Sequence, residues 1–319
     1  MFLEQGIKED NHFLKYILGS FLVILASFIG QVPFMVAGFV KSFGDGKGIP
    51  SNQDDFMKIF DPNTTLFLLL LSFVFAVFGL YFTVKYFHKQ SFLSIVTTRK
   101  KLDWNRIIFA FLIWGIFTAV STYASYYLAP QDFVWNFNLV PFLILSVIAI
   151  VLVPIQTSCE EFVFRGYLMQ GFANLSKNRW FPLVMTSVIF GSMHILNPEV
   201  GKMGYIVLVY YIGTGFLLGI FTLMDEGMEL SLGFHAANNL VGALLVTSDW
   251  SVFQTNSILK DISDPTAGLE IFIPVFVIYP ILIFIFSKKY GWSNWKEKLT
   301  GNIVDQKHLQ EIEKIGNNE

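Results

Sequence analysis

The segment Cys159-Glu160-Glu161-Phe162-Val163-Phe164-Arg165-Gly166 sets two adjacent carboxylates and a guanidinium inside a stretch that is largely apolar from Leu139 onward. Ionisable groups are costly in such surroundings, so three together mark a candidate functional site. Two further polar points lie in apolar runs. One is His194, closing Phe190-Gly191-Ser192-Met193-His194, and the other is the pair His235 and Asn239, in His235-Ala236-Ala237-Asn238-Asn239. A carboxylate, two imidazoles and an amide suit the activation of water. Glu160 could act as general base. His194 could orient the water or hold a metal. His235 and Asn239 could donate hydrogen bonds to the oxyanion formed when water attacks an amide carbonyl. Glu161 and Arg165, four apart on a helix, share a face and are expected to pair in support. Glu160 is turned about 100° away, free to face another helix.

These residues have to be positioned by helices that cross a membrane. The chain has 319 residues, of which 54% are hydrophobic and 14% charged. Soluble domains average about 25% charged residues. A bilayer core takes about 20 apolar residues per helix. Eight candidate spans follow: Leu14–Val40, Leu66–Phe87, Ile107–Leu128, Leu139–Gln156, Phe181–Leu196, Tyr205–Met224, Leu230–Val246 and Ile271–Phe286. The fourth is expected to stay helical through Glu160 and Arg165 to near Asn174. The fold class is therefore all-α, a polytopic bundle of about eight spans. Residues 1–287 read as one membrane domain and residues 288–319 as a cytoplasmic polar tail.

Glu160 lies 17 residues before a turn near Lys177 and His194 lies 17 after it, so a helical hairpin brings both to one level, roughly 25 Å from the turn. His235 and Asn239, about 12 and 18 Å beyond their own turn, can reach the same level. With the N-terminus in the cytoplasm, sixteen Lys and Arg fall on the cytoplasmic side and five opposite, with Arg165 inside the membrane completing the 22. That asymmetry predicts both termini cytoplasmic. The N-terminal segment, with Glu4, Glu9 and Asp10 against Lys8, lacks the basic start of a cleavable signal.

Other chemistries find little support. The net charge of −2 offers no basic surface for nucleic acid. The single cysteine, Cys159, cannot form an internal disulfide and reads as a small core residue. The sequence contains no Gly-x-Ser-x-Gly elbow and no His-Glu-x-x-His zinc helix. A different class stays open: a transporter or membrane partner protein that uses the buried polar residues for proton coupling or helix contacts. A transporter is expected to show internal pseudo-symmetry, and none is visible.

The set Glu-Glu-x-x-x-Arg (160–165), Phe-x-x-x-His (190–194) and His-x-x-x-Asn (235–239), in this order on separate hydrophobic spans, resembles the CPBP (Abi, or type II CAAX prenyl endopeptidase) family of intramembrane proteases. The likeness covers a core of about residues 139–246. It implies an endopeptidase acting near the cytoplasmic side of a bacterial cell membrane on a peptide or protein substrate. It also implies Glu160 as the water-activating glutamate with His194 as its partner, His235 and Asn239 as the oxyanion or metal pair, and Glu161 and Arg165 in support. Family members are labelled metalloproteases, so a divalent ion such as zinc on Glu160, His194 and His235 stands beside a metal-free glutamate mechanism.

Overall fold

In a computed structural model, residues 1–303 are described, apart from 9, 47, 49–56 and 266–267. Lys47, Lys307, His308, Lys314 and the tail beyond Ile303 lie outside the described residues. Among the described residues the helices that build the bundle include α1 (Phe13–Gly44), α2 (Pro62–Phe87), α3 (Trp104–Leu128), α4 (Leu139–Ser176), α5 (Trp180–Leu196), α6 (Tyr205–Asp225), α7 (Glu229–Leu245), α8 (Tyr279–Tyr290) and α9 (Trp295–Thr300). Three short strands, β1 (Phe133–Trp135), β2 (Val246–Ser248) and β3 (Leu259–Asp261), form a sheet in the order β1-β3-β2. β1 runs antiparallel and β2 parallel to β3.

Sequence dictates the helix ends. Asp61 caps α2, accepting from the N–H groups of Asn63 and Thr64, and Pro62 occupies the first turn, where its missing N–H costs nothing. Asp103 caps α3, accepting from the N–H of Asn105. α4 stops where Lys177 adopts a left-handed conformation, φ +53°. Its 38 residues are one continuous helix, carrying a π-helical stretch at Phe162–Leu168.

Five helices among the described residues are long and apolar enough to span a bilayer: α1, α2, α3, α4 and α6. That corrects the expectation of eight. Counting apolar residues cannot tell lipid-facing surface from protein-facing core. α7 has 17 residues and is buried from Glu229 to Ala237. Its apolar residues meet other helices, not lipid. α5 is a shorter apolar helix that ends in a 3₁₀ turn at Met193–Leu196. The segment expected at 271–286 is helical from residue 272, with a π-helical turn at Pro274–Ile278 leading into α8, and is not among the five.

On α3, Ile108, Leu112, Ile116 and Val120 stand exposed at helical spacing, and α4 exposes Val140, Ile144, Val147 and Val151. Continuous apolar stripes of this kind suit lipid and are disfavoured in water. Exposed Trp104 and Tyr127 end the α3 stripe. They lie about 35 Å apart along the helix, the placing of aromatic residues at two membrane interfaces.

The two ends of the bundle differ. At one end Arg179 meets Glu4 at 2.5 Å, the Phe2 N–H donates to Glu226, and the Ile303 N–H donates to the Lys177 carbonyl. Both ends of the described chain therefore meet here. Arg99 and Arg106 clamp Asp225, and Arg99 also reaches Glu229 at 3.0 Å. The sheet forms the other end, together with Glu199, which accepts from the Val252 N–H.

α7 packs against α3 so closely that a Cβ on Gly233 would overlap the Ile107 carbonyl oxygen. Gly233→Ala is expected to destabilise the protein by about 1–3 kcal/mol, the usual cost of overpacking. A thermal melt in detergent checks this, and an unchanged melting temperature would contradict the close approach. Just beyond α2, His88 is buried between Asn11 (3.0 Å) and the Tyr167 hydroxyl (2.7 Å), tying the N-terminal segment to α4. Burial, with Lys15 and Lys8 adding repulsion, pushes its imidazole down to about 4. The unfolded chain, with histidine near 6.5, then binds more protons between those values. The contribution of His88 is full above pH about 6.5 and is lost as pH falls toward about 4. The melting temperature should fall across that window in wild type and fall less in His88→Gln.

Candidate active site

α4 and α7 carry the centre. Glu161 is fully buried, and its Oε1 accepts from Arg165 Nη1 at 3.0 Å and from His235 Nδ1 at 2.7 Å. The pair predicted from i,i+4 spacing thus forms, across the start of the π-helical stretch. π turns of this kind often occur at functional sites. Arg165 also donates to the Gly215 carbonyl on α6 at 3.2 Å. Gly215 also lets α6 lie close to α5, since a Cβ there would press on the Ser187 backbone. The Arg165 guanidinium lies over the Phe190 ring, 4.3 Å from its centroid, a cation–π contact inside the bundle.

A carboxylate already bound to a guanidinium can only accept from the imidazole, so His235 Nδ1 carries the hydrogen. In the neutral ring Nε2 is then left with its lone pair. It faces Glu160 Oε2 at 3.5 Å. Glu160 points away from the Glu161–Arg165 face, as the helix period requires, and keeps about a fifth of its side chain exposed. Gln156, one turn earlier, donates to Glu160 Oε1 at 2.6 Å and accepts from Asn239 at 3.2 Å.

His194 takes a neighbouring position. Its Nδ1 bonds the Phe190 carbonyl at 2.8 Å, and its ring stacks on Tyr211 at 4.1 Å. Phe190 presents its ring to His194, with centroids 5.0 Å apart, and to His235, at 6.0 Å. The structure therefore gathers two hydrogen-bonded sets, Glu161 with Arg165 and His235, and Glu160 with Gln156 and Asn239, which meet where His235 Nε2 faces Glu160, and sets His194 beside them through Phe190.

A three-ligand metal shell does not fit this arrangement. Among the described residues no group of three His, Cys, Asp or Glu side chains converges on a common point. His235 Nδ1 is hydrogen-bonded to Glu161 and His194 Nδ1 to the Phe190 carbonyl, so each ring has only Nε2 to offer.

Sequence reasoning missed Gln156, Trp114, Phe190 as a hub, and Tyr211. Gln156 carried a signal, as a polar residue one turn from Glu160 in an apolar run. Trp114 and Tyr211 carried none, because aromatic residues are frequent throughout this chain.

Removing the Arg165 guanidinium would leave Glu161 buried with half its pairing. Arg165→Met is expected to cost about 3–5 kcal/mol, the penalty for breaking a buried ion pair. The melting temperature and the yield of folded protein in membranes should drop together. A variant as stable as wild type would show that Glu161 does not depend on this partner.

Residues 135–241 match the family described as type II CAAX prenyl endopeptidase Rce1-like. The chain is 30% identical over 247 residues to YyaK of Bacillus subtilis (strain 168), whose printed name is "Uncharacterized protein YyaK". The alignment covers 77% of this chain and 82% of that one. No solved structure matches. The long apolar helices and the bacterial relative support a bacterial membrane location. All six candidate site residues except His235 and Asn239 come from α4 and α5, and all six fall inside the matched segment. On these grounds the chain belongs to the CPBP (Abi) family of Rce1-like membrane proteases, with the family match lying on residues 135–241.

Proposed function

We propose that this protein is an intramembrane endopeptidase that hydrolyses a peptide bond by glutamate-activated water. The observation that carries the reading is the meeting of Glu160 Oε2 and His235 Nε2 at 3.5 Å, beside a fully buried Glu161–Arg165 pair. Charge balance supports it. The charges of Glu161 and Arg165 cancel, which leaves the Glu160 carboxylate and the His235 imidazole as the acid–base pair of the site.

The steps use only these side chains. Glu160 accepts a proton from water as the water oxygen attacks the substrate carbonyl carbon. His194, whose Nδ1 hydrogen is committed to the Phe190 carbonyl, offers Nε2 as an acceptor that orients the water. The oxyanion takes hydrogen bonds from protonated His235 and from the second N–H of Asn239. Glu160 then passes its proton to the leaving amine, the C–N bond breaks, and the carboxyl and amine products separate. Glu161 holds His235 in orientation throughout, as a carboxylate does in an acid–base–nucleophile triad. No step passes through a metal.

The site lies nearer the bundle end that gathers both described termini. Glu160 is 16 residues, about 24 Å, from Ser176, against about 32 Å from Leu139. His235 is about 9 Å beyond Glu229. The excess of Lys and Arg assigns that end to the cytoplasm, so cleavage is proposed near the cytoplasmic side, in the manner of a CAAX protease, with both termini cytoplasmic.

Glu160→Gln keeps the shape and removes the base, and cleavage should fall by about 10²–10⁴-fold. Terminal-peptide mapping of cells with and without the protein supplies the substrate, and purified protein supplies the rate. Wild-type turnover in the variant would remove Glu160 from the mechanism. Because the donor set does not gather three ligands, cleavage is also expected to continue in EDTA. Loss of activity in chelator with restoration by zinc would overturn the metal-free steps while leaving the endopeptidase reading in place.

A further inference from the structure

A chain of hydrogen bonds starts at Trp114 on α3 and ends on Glu160. The indole Nε1–H donates to Asn238 Oδ1 at 3.0 Å, and Asn238 Nδ2 donates to Asn239 Oδ1 at 3.0 Å. Asn239 Nδ2 donates to Gln156 Oε1 at 3.2 Å, and Gln156 Nε2 donates to Glu160 Oε1 at 2.6 Å. Trp114 is buried in an apolar cluster, its ring tilted against Phe234 of α7 with centroids 4.4 Å apart.

A side-chain amide can present either its oxygen or its nitrogen, so its direction has to come from its partners. Here both ends of the chain impose the same direction. An indole N–H can only donate, so Asn238 must turn its oxygen to Trp114 and its nitrogen to Asn239. Each amide passes that choice to the next. A carboxylate oxygen accepts, so the last N–H is matched when it reaches Glu160. Rotating any one of the three amides would set donor against donor or acceptor against acceptor, a costly mismatch for groups that are buried, as Gln156 is, or half-buried, as Asn238 and Asn239 are.

Two consequences follow for Glu160. Its Oε1 is held as an acceptor in either protonation state, so proton exchange is confined to Oε2, the oxygen that faces His235. Gln156 also bridges the two working arms of the site, with its nitrogen on the base and its oxygen on Asn239. We propose that Gln156, aligned by Trp114 through Asn238 and Asn239, is the positioning residue that reserves Glu160 Oε2 for proton transfer and fixes Asn239 relative to it. The inference rests on the endopeptidase reading of this site, and Gln156 takes no part in bond making.

The test uses full-length protein in lipid nanodiscs and four variants: Gln156→Met, Trp114→Phe, the double variant and Glu160→Gln. The infrared carboxyl band of Glu160 is identified by its loss in Glu160→Gln. That band should move to higher wavenumber in Gln156→Met, which loses the donor but keeps the side-chain length. On a fluorogenic peptide cleaved by wild type, Gln156→Met should lower kcat by about 10- to 100-fold, the worth of one hydrogen bond to a charged group, with KM unchanged. Trp114→Phe, which removes only the indole donor, should shift the band and kcat in the same direction by less. The double variant should match Gln156→Met, because one chain carries both effects. A Glu160 band unmoved in Gln156→Met, or losses that add in the double variant, would overturn the proposal. Should Gln156→Met not fold, an unmoved band in Trp114→Phe decides against it. If the band moves as expected but wild type cleaves no peptide, the endopeptidase reading fails and the positioning of Glu160 stands.

Discussion

The carboxylate of Glu161, fully removed from solvent, receives both Arg165 and His235 on one oxygen. A buried charge of this kind is tolerable only when paired and hydrogen-bonded. Meeting that requirement draws in most of the bundle. His235 brings α7 against α4, the Gly215 carbonyl brings α6 to the guanidinium, and the Phe190 ring brings α5 over it. Four helices are thus held by one ion pair and its surroundings, and Glu160, one residue earlier, inherits a fixed position from them.

α7 shows how such an arrangement is made rigid. Its first turn is anchored at the bundle end by Arg99 on Glu229, and its middle is anchored by His235 on Glu161. Two polar anchors on one helix set both its height and its rotation. Gly233 lies between them and lets α3 approach to backbone contact, which carries Trp114 to Asn238. A lipid-facing helix could not carry Glu229, His235, Asn238 and Asn239 together, because unpaired polar groups in hydrocarbon are costly. Enclosure by α3 and α4 is what makes the helix possible.

Polar groups within the bundle are accordingly concentrated in two places. At the end that holds both described termini, ion pairs tie loops to helix ends: Arg99 and Arg106 on Asp225, and Arg179 on Glu4. Inside the bundle, the cluster around Glu160 and His235 holds the other group. Between and around them the helices present apolar stripes outward, on α1, α3 and α4 above all.

Much of this was legible in the residues alone. The i,i+4 spacing determined that Glu161 and Arg165 pair and that Glu160 faces elsewhere, because a helix period is a local property. Long apolar runs determined α1, α2, α3, α4 and α6, and the continuation of α4 through its charged segment. Local pattern could not separate apolar surface that meets lipid from apolar surface that meets protein, which is why the buried α7 was counted as a span. Nor could it pair groups far apart in the chain. Which imidazole meets the carboxylates was decided by helix packing: His235 lies against both, while His194 lies behind Phe190 and Tyr211. The alignment of Gln156 by an indole 42 positions away belongs to the same class. A hydrogen-bond chain acquires its direction only when its two ends are brought together in space.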